Sequence, residues 1–207
     1  MKRIAVLYQS KYGSTRQYAQ WIARDLGAEL LERSAVSPAD LRKYDVVVYG
    51  GGLYAGGIAG VDLVAKHPCP ALVIFTVGLA NPEVTDYSDI LNRNFSPEQR
   101  ETLKVFHLRG AMDYGRLGPI HRGMMAMMKK MSVDSKAPED RTDEDRLMLE
   151  TYGKSVNFID EASIAPLVEY VKGAALKRRS IEKTGSGLFS TNLPEPVFSV
   201  LFAMDQK

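Results

Sequence analysis

The sequence predicts an α/β fold, a parallel β-sheet covered by helices on both faces. Three observations carry that reading. Apolar runs rich in β-branched residues recur at residues 4–8, 45–50, 71–77 and 103–111, without the polar alternation of a half-exposed strand. Helical segments lie between them, joined by short turns. The first run passes directly into a glycine- and hydroxyl-bearing loop that opens an amphipathic helix.

In chain order, Ala19, Ile22, Ala23 and Leu26 fall at i, i+3, i+4 and i+7, one apolar helical stripe that Gly27 can terminate. Trp21 adjoins the stripe as a core residue. Residues 28–33 make a weaker strand, suited to a sheet edge. Ser37-Pro38-Ala39-Asp40 has the chemistry of a helix start. Helical segments are expected at 58–66 and 86–92, and Ser96-Pro97-Glu98-Gln99 has capping-box spacing. Ile164, Leu167, Val168 and Val171 form a last amphipathic helix, with Ser163 as its cap and Pro166 in its first turn.

Composition bounds the function. The 207 residues suffice for one substantial core, and 45% hydrophobic with 25% charged residues is ordinary for a globular protein. A formal net charge of +2 is too small to argue for nucleic acid. Cys69 is the only cysteine, which excludes a disulfide frame, a C-x-x-C pair and a thiolate metal cluster. A reducing, cytoplasmic location is the expectation, with no segment apolar for long enough to cross a bilayer.

The opening loop carries the strongest chemical signal. Ser10-Lys11-Tyr12-Gly13-Ser14-Thr15 stands between strand and helix, where the unpaired N–H groups of the first helical turn and the helix dipole favour an anion. Ser10, Ser14 and Thr15 add hydroxyls, and Gly13 lets the backbone curl around phosphate oxygens. An ordinary helix cap by Ser14 or Thr15 is the competing reading. Neither the triphosphate loop G-x-x-x-x-G-K-[ST] nor the dinucleotide turn G-x-G-x-x-G is present.

A doubly wound sheet of order 2-1-3-4-5 places ligands at the carboxyl ends of its first and third strands. The run Gly50-Gly51-Gly52-Leu53-Tyr54-Ala55-Gly56-Gly57 falls there, open enough for a flat ring, with Tyr54 to stack on it or edge it; a mobile surface turn is the alternative. Thr76, Val77 and Gly78, with Leu79-Ala80-Asn81 behind them, end the next strand and are expected to offer backbone amides to a ring edge; a plain strand-to-helix turn is the alternative. A phosphate-accepting receiver domain shares this architecture but needs an Asp where this chain has Tyr49-Gly50.

Ser10 to Thr15 resembles the FMN phosphate loop of flavodoxins, T/S-x-T/S-G-x-T, with Tyr12 at the second hydroxyl position. Residues 8–19, 46–58, Gly110-Ala111 and Met128-Lys129-Lys130-Met131-Ser132 are similar to the flavodoxin-domain family that includes the menaquinone-dependent protoporphyrinogen oxidase of haem synthesis. The resemblance implies a flavodoxin-like three-layer sandwich with a five-stranded parallel sheet over residues 1–173. It implies FMN as cofactor, contacted by Ser10 to Thr15, Gly51 to Gly56 and Thr76 to Gly78. It also implies a segment inserted at about 112–153, and a C-terminal extension remains at 174–207.

Within the insertion, Ile120, Met124, Met127, Met128 and Met131 share a helical face, with His121, Arg122, Lys129 and Lys130 largely elsewhere. Such a helix suits a membrane surface, a quinone or a large apolar substrate, or else core or a subunit interface. Pro138 to Asp145 reads as a solvated loop or helix start. The tail, apolar from Val197 to Met204, is expected to dock on its own domain or a neighbouring subunit. Peripheral membrane contact and a homodimer through the tail or the Met-rich helix are the partner expectations.

No catalytic side-chain set emerges. His67, His107 and His121 lack metal-ligand spacing, and Ser14 lacks the G-x-S-x-G elbow of a hydrolase. A bound flavin would carry the chemistry. Arg109, Tyr114, Arg116 and His121 are the candidates to meet substrate carboxylates or the open face of the ring, with plain surface solvation as the competing role for each. Two functions follow: an FMN-dependent oxidoreductase passing electrons from a reduced substrate, protoporphyrinogen by the resemblance, to a quinone or other acceptor, or a non-catalytic electron carrier for redox partner proteins.

Overall fold

The computed structural model describes residues 2–54 and 56–173; Ala55 and the expectations for the tail at 174–207 lie outside the described residues. Five parallel strands, β1 (Ile4–Gln9), β2 (Glu29–Glu32), β3 (Val46–Tyr54), β5 (Leu72–Gly78) and β6 (Lys104–Arg109), stand in the order β2-β1-β3-β5-β6. That is the 2-1-3-4-5 arrangement. A short β4 (Gly57–Ile58) folds back antiparallel on the end of β3.

Successive strand residues point to opposite faces, and both faces are buried. Val6, Val48, Val73, Phe75 and Val77 pack under helix α1 (Ser14–Leu26) and helix α7 at 165–173. Ala5, Leu7, Val47, Tyr49 and Ile74 form a second core with Leu41, Leu63, Val64 and Phe95. Leu41 comes from a 3-10 turn at Pro38–Lys43, capped reciprocally by Ser37 and Asp40. Leu63 and Val64 come from α2 (Asp62–Ala65), and Phe95 follows α3 (Ser88–Asn94). Helix α4 (Pro97–Thr102) starts on the Ser96–Gln99 capping box. Gly27 ends α1 in the left-handed region at φ 59°.

Four expectations change. The helix foreseen at 58–66 shrinks to α2, because Ile58 is spent on the β3–β4 hairpin and Gly60, at φ 67°, is left-handed. The glycine run is strand as far as Tyr54 rather than open loop. The run foreseen at 103–111 breaks after Arg109, and Ala111–Asp113 becomes β7, antiparallel to β8 (Ser155–Asn157). The last helix is led in by a 3-10 turn at Glu161–Ile164, where the Asp160 side chain accepts from the Ala162 N–H; Ser163 instead donates to Asp160 O.

The pair β7–β8 clasps the two stems of the inserted segment. Between them run helix α5 (Pro119–Met128), a π turn at Lys129–Val133, and helix α6 (Asp143–Thr151), which Thr142 and Asp145 cap. Helix α1 holds both stems. Tyr18 Oη donates to Arg109 O at 2.7 Å and accepts from Asp160 N at 3.0 Å, and the Ala111 N–H donates to Ser14 Oγ at 3.2 Å.

Candidate functional site

The loop after β1 turns on Gly13, whose φ of 100° admits few residues but glycine. Gly13, not Ser14 or Thr15, is the N-cap, and no side chain caps the helix. The first intrahelical bond is Gln17 N–H to Gly13 O at 3.0 Å, which leaves the amides of Ser14, Thr15 and Arg16 for a ligand. There is no acidic residue in that first turn.

The hydroxyls behave individually. Ser10 Oγ accepts from the Gly13 N–H at 3.1 Å, and Ser14 Oγ accepts from Ala111; each keeps its own proton to donate. Thr15 is 4% exposed, and its hydroxyl has no partner among the described residues. Tyr12 is half exposed and leans edge-on to His121, ring centres 6.0 Å apart. It adds no hydroxyl to the cradle.

The glycine run divides by role. A Cβ on Gly50 would stand 2.0 Å from the Phe75 ring, and one on Gly51 2.6 Å from Ile58, so these two glycines serve packing. Gly56, at φ 76°, makes room for Arg93. Gly52 faces the Thr15 hydroxyl, 3.6 Å from where its Cβ would be, and so borders the anion cradle. Leu53 is half-buried and lies against Gly78.

Thr76, Val77 and Gly78 lie inside β5, paired with β3 and β6. The expectation of exposed amides there is corrected: the ladder engages this stretch, and the turn proper begins at Leu79. Thr76 is fully buried, its Oγ1 2.5 Å from His107 Nδ1. His107 stacks on Tyr87 at 3.5 Å, and burial pushes its pKa down to about 4. The half-buried His107, held between Thr76 and Tyr87, is a satisfied structural group within its strand.

The insertion reaches this edge through α5. Lys11 Nζ lies 3.0 Å from His121 Nε2, and the His121 ring meets Tyr54 edge-on at 5.2 Å. Tyr54 Oη donates to Met124 Sδ at 3.2 Å. Helix α5 therefore bridges the phosphate-type loop and the glycine run. Beside Lys11, Tyr12 and Gly13 opens a cavity of about 590 Å3, walled further by Arg116, Asp113 and Asn157.

The four substrate candidates fall apart. Arg109 stacks its guanidinium 3.7 Å over Phe158 and donates to Leu79 O, so it is committed to structure. Tyr114 packs on Tyr152, and burial raises its pKa. Arg116 lines the cavity, and His121 stands edge-on to Tyr12 and Tyr54. Sequence reasoning missed the β8 wall of the cavity, because a three-residue strand paired far along the chain leaves no periodic signal. It also missed Met124 as the partner of Tyr54. Burial pushes the Cys69 thiol up to about 11, which keeps it in the less reactive protonated form near neutral pH.

Fold and site together define an α/β domain built to hold an anionic ligand at the carboxyl ends of β1 and β3. The chain belongs to the flavodoxin domain family, whose family model matches residues 5–139. No curated protein matches it. Among solved structures it is similar to flavodoxin 2 from Bacillus cereus, at 17% identity and TM-score 0.40 over 52% of this chain and 84% of that one. A flavodoxin from the domain Archaea gives 14% and 0.36 over 52% and 82%. A flavoprotein in complex with FMN from Lactobacillus acidophilus NCFM gives 16% and 0.36 over 53% and 93%.

Family membership indicates FMN as the cofactor, and the residues fit its charged end. Three free amides, a glycine with nothing within 4 Å of its Cβ position, and the unpartnered Thr15 hydroxyl together suit a phosphate.

Proposed function

We propose that the chain is an FMN-dependent oxidoreductase that passes electrons from a reduced small-molecule substrate to a quinone or another acceptor. One observation carries the reading. The insertion crosses the mouth of the cofactor loops through His121 and Met124, and it walls a cavity large enough for part of a small molecule. A carrier serving other proteins needs an accessible cofactor edge; a covered mouth suits a reaction on a small substrate.

FMN supplies the redox chemistry when bound. The chain supplies the rest. The α1 amides and the Ser10, Ser14 and Thr15 hydroxyls would hold the phosphate, and Tyr54 would be the aromatic side chain available to the ring. Lys11 and Arg116 bring positive charge to the cavity, which favours substrate carboxylates. Asp113 is the acidic side chain on that wall.

The resemblance to the menaquinone-dependent branch makes protoporphyrinogen IX the substrate to test. FMN-loaded protein, protoporphyrinogen and a soluble menaquinone analogue, mixed without any protein partner, are expected to yield fluorescent porphyrin at a rate proportional to enzyme. If the protein only shuttles electrons between a reductase and an acceptor protein, the enzyme reading is wrong and the carrier reading replaces it.

A further inference from the structure

We propose that the outward strip of α5 and the π turn after it docks on an anionic lipid surface. Ile120 is 78% exposed, Met127 56% and Met131 69%. Their spacing of seven and four residues sets them along one side of the helix. The remaining exposed large apolar side chains among the described residues are Tyr12 and Tyr54, which flank the cofactor mouth beneath this helix, and Val84. Apolar exposure is therefore concentrated at one place, where isolated residues would need no explanation.

Charge identifies the occupant. Residues 114–133 contain Arg116, Arg122, Lys129 and Lys130 and no Asp or Glu, although the whole chain carries a formal charge of only +2. Lys129 is neutralised by Asp134 at 2.8 Å. Arg116 faces the cavity. Arg122 donates to the Gly115 carbonyl and Lys130 is exposed without a carboxylate partner among the described residues, so both keep their charge.

An apolar strip with unpaired cations matches headgroups and acyl boundary of an anionic bilayer. A two-fold pairing with a second copy would instead set these cations against themselves. Methionine and isoleucine also fill an irregular lipid boundary without needing a shaped partner. Another side of α5 meets Tyr54 through Met124 and the edge contacts of His121, while the strip itself stays exposed. No described helix is long and apolar enough to cross a membrane; the contact is interfacial.

Flotation of the full chain with vesicles tests this directly, and it is scored on the protein itself, with or without FMN, so the result is independent of the redox reading. Binding is expected to phosphatidylglycerol-containing vesicles and not to phosphatidylcholine alone, and it should weaken as salt is raised. Lys130→Gln should lower the partition coefficient about five-fold. The triple variant Ile120→Ser, Met127→Ser, Met131→Ser should stop floating while its circular dichroism stays that of the parent. The proposal is overturned if the parent does not float, if it floats equally with neutral vesicles, or if the folded triple variant floats like the parent. It is equally overturned if sedimentation equilibrium shows a parent dimer that the triple variant converts to monomer, since the strip would then belong to a second copy.

Discussion

Gly50→Ala isolates the role of the glycine run. Gly50 lies mid-sheet, paired with Tyr8 of β1 on one side and Phe75 of β5 on the other. Its Cβ would stand 2.0 Å from Phe75 Cζ and 2.4 and 2.5 Å from the two Cε atoms. Carbon atoms rest about 3.5–4.0 Å apart, so the ring or the strand must retreat by about 1.5 Å. Phe75 is fully buried and has no space to enter. Overpacking of this kind costs about 1–3 kcal/mol, and two flanking strands push the cost toward the upper end. With a urea m-value of about 2 kcal/mol/M, the unfolding midpoint should fall by about 1 M. Leucine ends at its Cδ atoms and lacks all three clashing ones. Phe75→Leu should therefore cost less in the Gly50→Ala background than alone, with a coupling of about 1 kcal/mol or more in a double-mutant cycle. If Gly50→Ala keeps the parental midpoint and loses only FMN affinity, the packing argument fails and Gly50 is there for close approach of the ligand.

Gly13→Ala adds a side chain in open space but at φ 100°, so its cost is backbone strain of about 1–3 kcal/mol; FMN titration of the apoprotein should show weakened binding, and unchanged affinity would reject the cradle. His121→Ala should speed FMN dissociation several-fold in a competition experiment and move stability by about 0.5 kcal/mol or less; an unaltered dissociation rate would mean that α5 does not close the mouth. His107 is neutral in the fold, with a pKa of about 4 against an ordinary 6.5. Above pH 6.5 it is neutral folded and unfolded alike. As pH falls from 6.5 toward 4 only the unfolded chain takes the proton, so stability declines by at most about 1.4 kcal/mol per unit and levels below 4. His107→Asn should flatten that slope in pH-dependent urea melts; an identical slope would assign it to other groups.

The parallel strands were legible because burial on both faces erases alternation, as in Val46, Val47 and Val48. Helix ends were legible where local chemistry decides them: Gly27, Ser37 with Asp40, Ser96 with Gln99. Reading failed where a distant partner decides. Gly50 and Gly51 look like a loop until Phe75 and Ile58 are seen against them. The β7–β8 clasp joins residues too far apart in the chain to leave a pattern, and with it the cavity wall was hidden. Thr76 was foreseen at the site edge, but its burial against His107 depends on the register between β5 and β6. The apolar face of the insertion was foreseen as one surface. The structure splits it, with Met124 turned to Tyr54 and Ile120, Met127 and Met131 outward.

That division ties the parts of the molecule together. Helix α1 offers its first amides to the anion and, through Ser14 and Tyr18, grips both stems of the insertion. The base of the insertion and the phosphate cradle are therefore tied to the same helix. The far end, α5, meets the cofactor loops mainly by side-chain contacts of Lys11, Tyr12 and Tyr54 with His121 and Met124. Contacts of this kind are individually weak and give way before the backbone ladder of β7 and β8 does. Substitutions at those side chains, His121→Ala among them, therefore test the contacts of α5 with the loops without touching the β7–β8 clasp.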